Sequence, residues 1–105
     1  MFSVKNKVVI VTGSSGGNGG AIVKGLEKLG AIVEGGDLPS YDITTDKHRK
    51  LLVQQALNHT GKIDGLINCA GITRGNNVFD YDDEDWENTY QVNLKAPFEL
   101  SRSSF

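Results

Sequence analysis

An α/β fold, with helices wound on both sides of a parallel sheet, is predicted by three observations. The run Val8-Val-Ile-Val-Thr12 is β-branched throughout, as in a strand buried on both faces. It enters Gly13-Ser-Ser-Gly-Gly-Asn-Gly-Gly20, a stretch through which no strand continues. Beyond that turn, helical and strand-like patterns alternate along the chain.

Met1 to Lys7 is a short polar lead into the first strand. A helix follows the glycines from about Asn18 to Leu29: Ala21, Ile22, Leu26 and Leu29 recur at helical spacing, and Lys24, Glu27 and Lys28 take the other side. Gly30 is placed to cap its end. Gly25 costs that helix up to about 1 kcal/mol relative to Ala and is expected to allow close packing on the sheet. Ala31 to Glu34 is the second strand and runs into Gly35-Gly-Asp37.

Between Asp37 and Tyr41-Asp-Ile43 too few residues remain for a crossover helix. Tyr41 to Ile43 is therefore either what is left of a third strand or a loop returning across the sheet edge. Thr44-Thr-Asp46 starts a helix that carries Leu51, Leu52 and Ala56 and stops at Thr60-Gly61. Ile63 to Asn68 is the next strand, followed by a loop from Ile72 to Tyr81. Asp82 or Asp83 then caps a long helix whose acidic first turn suits the helix dipole. Trp86, Tyr90, Leu94 and Phe98 repeat every four residues along it and read as a core stripe. Pro97 has no N–H to give to the carbonyl of Asn93, so a kink and a free carbonyl are expected there.

The 105 residues read as a single domain, 1–105, whose apolar share of 38% is low but compatible with a core. A formal charge of -2 with both signs interspersed offers no basic patch for nucleic acid. One cysteine excludes an internal disulfide, and the N-terminus enters a strand without an apolar targeting segment. A soluble, cytoplasmic protein without membrane attachment is the expectation. His48 and His59 stand at the two ends of one helix with no cysteine or acidic cluster beside them, so no metal site is assigned.

Strand, glycine turn and helix together aim free backbone N–H groups and the positive end of a helix dipole at an anion. Gly13, Ser15, Gly16, Gly17, Asn18 and Gly19 are the candidate contacts to a pyrophosphate. Asp37, about 20 residues after the turn, stands where a ribose-binding carboxylate sits, with Leu38 beside it. A carboxylate accepts both ribose hydroxyls and repels a 2′-phosphate, and no Arg or Lys lies between Asp37 and Asp46. NAD is thus favoured over NADP. The small residues Cys69-Ala-Gly71 suit a turn against which a cofactor lies, and Asn68 can brace that turn from within the sheet. Cys69 has no neighbouring base or cation in the sequence to make it a reactive thiol.

Thr12-Gly13-x-x-x-Gly17-x-Gly19 and Asn68-Cys-Ala-Gly71 resemble the two N-terminal signatures of the short-chain dehydrogenases/reductases. The resemblance covers essentially all 105 residues, but only the N-terminal part of that family. It implies a Rossmann-type doubly wound sheet, here truncated to about three to four strands and three helices. It also implies an NAD(P)-dependent oxidoreductase acting on a small carbonyl or alcohol, homo-oligomeric when complete. Asp42 and Ile43 carry over to the adenine contacts, and Cys69 stands where the family most often has a second asparagine. Val92-Asn93-Leu94 resembles the segment whose asparagine belongs to the catalytic set and holds a water through its carbonyl. Ala70-Gly-Ile-Thr-Arg74 with Trp86 looks most like the 3-oxoacyl carrier-protein reductase branch.

The family's tyrosine and its lysine four residues on are not present: Tyr41, Tyr81 and Tyr90 are followed at that distance by Thr45, Asp85 and Leu94. The family's serine is missing too. The expectation is a cofactor-binding portion of a longer enzyme, inactive by itself. The alternative is a catalytically inactive nucleotide-binding or interaction module that works at this length.

Overall fold

A computed structural model of the chain describes residues 3–71 and 82–105, so the loop assigned to Ile72–Tyr81 lies outside the described residues. In order, the elements are β1 (Val8–Thr12), α1 (Gly17–Lys28), β2 (Ile32–Gly36), α2 (Asp46–Thr60), β3 (Gly65–Asn68) and α3 (Asp83–Tyr90). A π-helical turn, Gln91–Lys95, then leads into α4 (Ala96–Ser104).

The strands form one parallel sheet in the order β2-β1-β3. All five residues of β1 are buried, which is what its unbroken β-branched run predicts. Side chains alternate along a strand, so Val8 and Ile10 meet Leu52, Val53 and Ala56 of α2 and Ala96 and Leu100 of α4 in the main core. Each fully buried aliphatic side chain there contributes roughly 1.5–3 kcal/mol. Helix α1 packs on β1 and β2, and α2 and α4 pack together on the sheet. Thr12 pairs with Gly36 on one side and with Asn68 on the other, so the three strands end on one rim. β2 is added on one side of β1 and β3, reached from β2, on the other, which makes that rim a topological switch point.

Several expectations from the sequence change. On α1 the half-buried apolar residues are Ile22, Val23 and Leu26, whereas Ala21 is exposed and Leu29, at the C-cap, is 67% exposed. Gly25 makes no close contact with the sheet, because a Cβ added there meets nothing within 4 Å. Tyr41 to Ile43 forms no strand, leaving the loop alternative, and that loop still buries Ile43 in the core.

The larger correction concerns the long helix. Trp86, Leu94 and Phe98 are 64%, 62% and 58% exposed, so they are not a core stripe. A helix buries one face, and Ala96 and Leu100 occupy it here. A four-residue repeat also overshoots each α-helical turn by about 40°. The π turn takes up an extra residue and so winds that drift back, keeping the apolar row on one outer face.

Since Gly25 has open space around it inside α1, Gly25→Ala should raise stability by about 0.5–1 kcal/mol. A rise in Tm of the purified chain would show it, and a fall would mean that the close approach exists after all.

Candidate functional site

The site is built where β1 ends. Gly13 takes φ +64°, and a Cβ on it would lie 2.8 Å from the backbone nitrogen of Ala70. The glycine turn and the turn after β3 therefore touch through bare backbone. Thr12, buried at the end of β1, accepts the N–H of Ala70 on its hydroxyl at 3.2 Å. A threonine closing an otherwise aliphatic strand is the sequence signal for that brace. Asn68 itself is exposed. Gly19 is the second glycine that the packing requires, since a Cβ there would run into the carbonyl of Gly13.

Helix α1 begins at Gly17, with Gly16 as an N-cap that offers no side chain, and its first turn carries no acidic residue. The N–H groups of that turn have no partner within the helix. The positive end of the dipole is thus left without an anion of its own, which is what a helix start that receives a phosphate needs.

Asp37 follows directly after β2 and bends back onto the turn. One carboxylate oxygen accepts both the backbone N–H of Ser15, at 3.1 Å, and the Ser15 hydroxyl; the other accepts the N–H of Leu38 at 2.8 Å. The Ser15 hydroxyl is the largest influence on Asp37, and with the Ser15 and Leu38 amides it outweighs burial and holds the carboxyl below the usual range. Asp42 is lowered chiefly by the Thr44 hydroxyl, 2.6 Å away.

An open cleft of about 300 Å³ lies along the rim. Of the residues selected from sequence, Gly13, Gly16, Asp37, Leu38, Asp42, Ile43, Cys69, Ala70 and Gly71 line it. Ser15 and Gly17 line a groove beside it along α1. Asn18 and Gly19 belong to the first turn of that helix. Gly36, Tyr41, Thr44 and Val92 also line the cleft, and the sequence alone does not single them out. Val92 could have been found from its place beside Asn93, one residue ahead on the same turn of helix.

Asn93 is brought to the site as well, for its side-chain oxygen lies 3.6 Å from the Cβ that Gly71 lacks. The consequence of Pro97 is a π turn over Gln91–Lys95, within which the Ala96 N–H bonds the Gln91 carbonyl. Asn93 is engaged in an interaction within the chain, and the disturbance expected from Pro97 takes the form of a widened turn. Such turns are frequent at functional sites.

The short chain dehydrogenase family model matches residues 37–105. The chain belongs to that family. An uncharacterized oxidoreductase of Escherichia coli, YgcW, is 32% identical to it over 95% of this chain and 46% of the relative. The 3-oxoacyl-[acyl-carrier-protein] reductase FabG of Haemophilus influenzae is 33% identical over 95% of this chain and 49% of that protein. Among solved structures, a short-chain dehydrogenase/reductase from Brucella melitensis, titled glucose/ribitol dehydrogenase, superposes with a TM-score of 0.91 at 25% identity. It covers 98% of this chain and 52% of its own. The chain thus spans about half the length of the relatives it matches. The α/β architecture with its parallel sheet agrees with these neighbours. Among the described residues, no helix is long and apolar enough to cross a membrane.

Asp37, Asp42 and Asp64, the last lowered chiefly by the Val8 N–H, all sit below the ordinary carboxylate value of 3.8. The unfolded chain therefore binds more protons as acid is added. Their stabilisation is complete above the unfolded value and is lost as the pH falls through the folded ones. Tm should fall as the pH drops below about 5, and Asp37→Asn should make that fall shallower. A Tm that climbed on acidification would contradict the assignment.

Proposed function

We propose that these residues are the dinucleotide-binding portion of a short-chain-type oxidoreductase that moves a hydride between NAD and a carbonyl or alcohol of a small molecule. One observation carries the reading: the uncapped start of α1, the Asp37 carboxylate and the Ala70–Gly71 turn converge on one rim of the sheet. In this reading Gly13 and Ser15 to Gly19 hold the pyrophosphate, and Asp37 with Leu38 takes the adenosine ribose. Asp42 and Ile43 border the adenine, and Asn68 to Gly71 back the cofactor toward its nicotinamide. The nicotinamide, when bound, accepts or supplies the hydride.

The preference for NAD follows from charge. Asp37, like any carboxylate held at or below the usual range, is ionised at neutral pH, no cation lies between it and Asp46, and a 2′-phosphate beside it would be repelled. Its oxygens already accept three bonds from Ser15 and Leu38, so a ribose diol that brings two donors displaces the Ser15 hydroxyl.

Asn93, beside Gly71, is the one member of the family's catalytic set in these residues. A proton-sharing tyrosine with its lysine does not occur in the sequence. The first reading assigns turnover, and the homo-oligomer, to a longer enzyme; the alternative is a nucleotide-binding module without turnover of its own.

Titrating NADH fluorescence with the purified chain tests binding, and no saturable change would refute both readings. Asp37→Ala should lower the ratio of NAD to NADP affinity by about tenfold, equivalent to roughly 1.4 kcal/mol. An unchanged ratio would remove Asp37 from the ribose.

A further inference from the structure

The wall of the cleft opposite the glycine turn is made of irregular chain. Residues 37–45 contain no strand, yet Asp42, Ile43 and Thr44 line the cleft. Irregular backbone keeps one shape only when its N–H and C=O groups have fixed partners. In a strand the neighbouring strand supplies them. Here the first turns of α2 supply them with side chains. His48 accepts the N–H of Asp42 on Nδ1 at 2.8 Å, and the next residue, Arg49, donates from Nη1 to the carbonyl of Ile43 at 2.9 Å. Thr45, the N-cap of α2, completes the hold by donating its N–H and its hydroxyl to the carbonyl of Asp42, at 3.1 and 3.0 Å.

Arg49 is an expensive way to do this. Only 5% of it is exposed, its Nε is buried with no partner, and Asp46 stands 3.8 Å from Nη2 on the exposed side. A buried guanidinium with an idle N–H disfavours folding, and an apolar residue of similar length is often neutral or better at such a position. What no apolar residue can do is hold the carbonyl of Ile43. That residue anchors the core with its side chain and also lines the cleft, so fixing its carbonyl fixes the wall.

We infer that Arg49, with His48, is a positioning residue for the adenine side of the cleft: the pair clamps Asp42 and Ile43 so that their wall is preformed for a flat purine base. The inference rests on the dinucleotide reading for the identity of that ligand. Its energetic content is preorganisation. Without the clamp the loop must be ordered when ligand arrives, and affinity falls by that cost.

The test uses the 105-residue chain with three probes: NADH, AMP for the adenine half and reduced nicotinamide mononucleotide for the other half. Arg49→Met removes the donor and keeps an apolar stem, and Arg49→Lys keeps a donor. Arg49→Met should weaken AMP and NADH about tenfold, leave the mononucleotide within about twofold, and speed amide exchange at residues 43–45 without lowering Tm. Arg49→Lys should recover most of the AMP affinity. Unchanged AMP binding in Arg49→Met would overturn the clamp. So would an equal loss for both halves together with a lower Tm, since a merely structural arginine predicts that pattern. Should Arg49→Met fail to fold, His48→Leu, which removes the acceptor for the Asp42 N–H, should still weaken AMP severalfold, and no change would overturn the proposal. If the wild-type chain bound neither NADH nor AMP, the dinucleotide reading would fall and the clamp with it.

Discussion

Strand β1 is paired along both edges and buried on both faces, and the parallel register it imposes is the constraint from which the site follows. Because Thr12 faces Gly36 and Asn68 at once, three chain segments leave the sheet at one level. The glycine turn, Asp37 and the Cys69–Gly71 turn therefore meet although they are far apart in sequence. A slip of one residue in either pairing would turn every side chain of that strand to the opposite face, and the buried aliphatic face of β1 prevents it. The Thr12 hydroxyl and the bare Cα of Gly13 then set how closely the two turns approach.

The narrowness of the sheet decides much of the rest. With the loop 37–45 in place of a strand beside β2, the backbone groups of Asp42 and Ile43 find partners on α2 instead. This explains why a cation stands in a buried position of an otherwise ordinary amphipathic helix. Asp37 works in the same economy of partners: its carboxylate satisfies Ser15 in the turn and Leu38 in the loop, so one side chain ties together two walls of the cleft.

The long helix shows how a regular pattern misleads. Trp86, Tyr90, Leu94 and Phe98 are apolar at a constant interval, and such a row reads as the buried face. The buried residues are Ala96 and Leu100, offset from it by two residues, because the sheet accepts that side. Nothing in the interval itself says which of two apolar faces meets the sheet. Pro97 is a sound local signal, since the ladder is disturbed where its missing N–H requires, and a π turn is the form that the disturbance takes.

What the sequence determined by itself is everything that short-range stereochemistry controls: the extent of β1, the glycine turn into a helix, a cap for α2 within 44–46 and for α3 at Asp82 or Asp83, the stop at Thr60-Gly61 and the acid at the end of β2. These depend on neighbours within a turn or two of chain, so spacing is enough to read them. Only the tertiary structure decided which faces are buried, that Thr12 braces the second turn, that Ser15 holds Asp37, and that His48 and Arg49 hold the loop. Those are contacts between segments, and whether one side chain reaches another depends on how elements pack, which no local interval encodes.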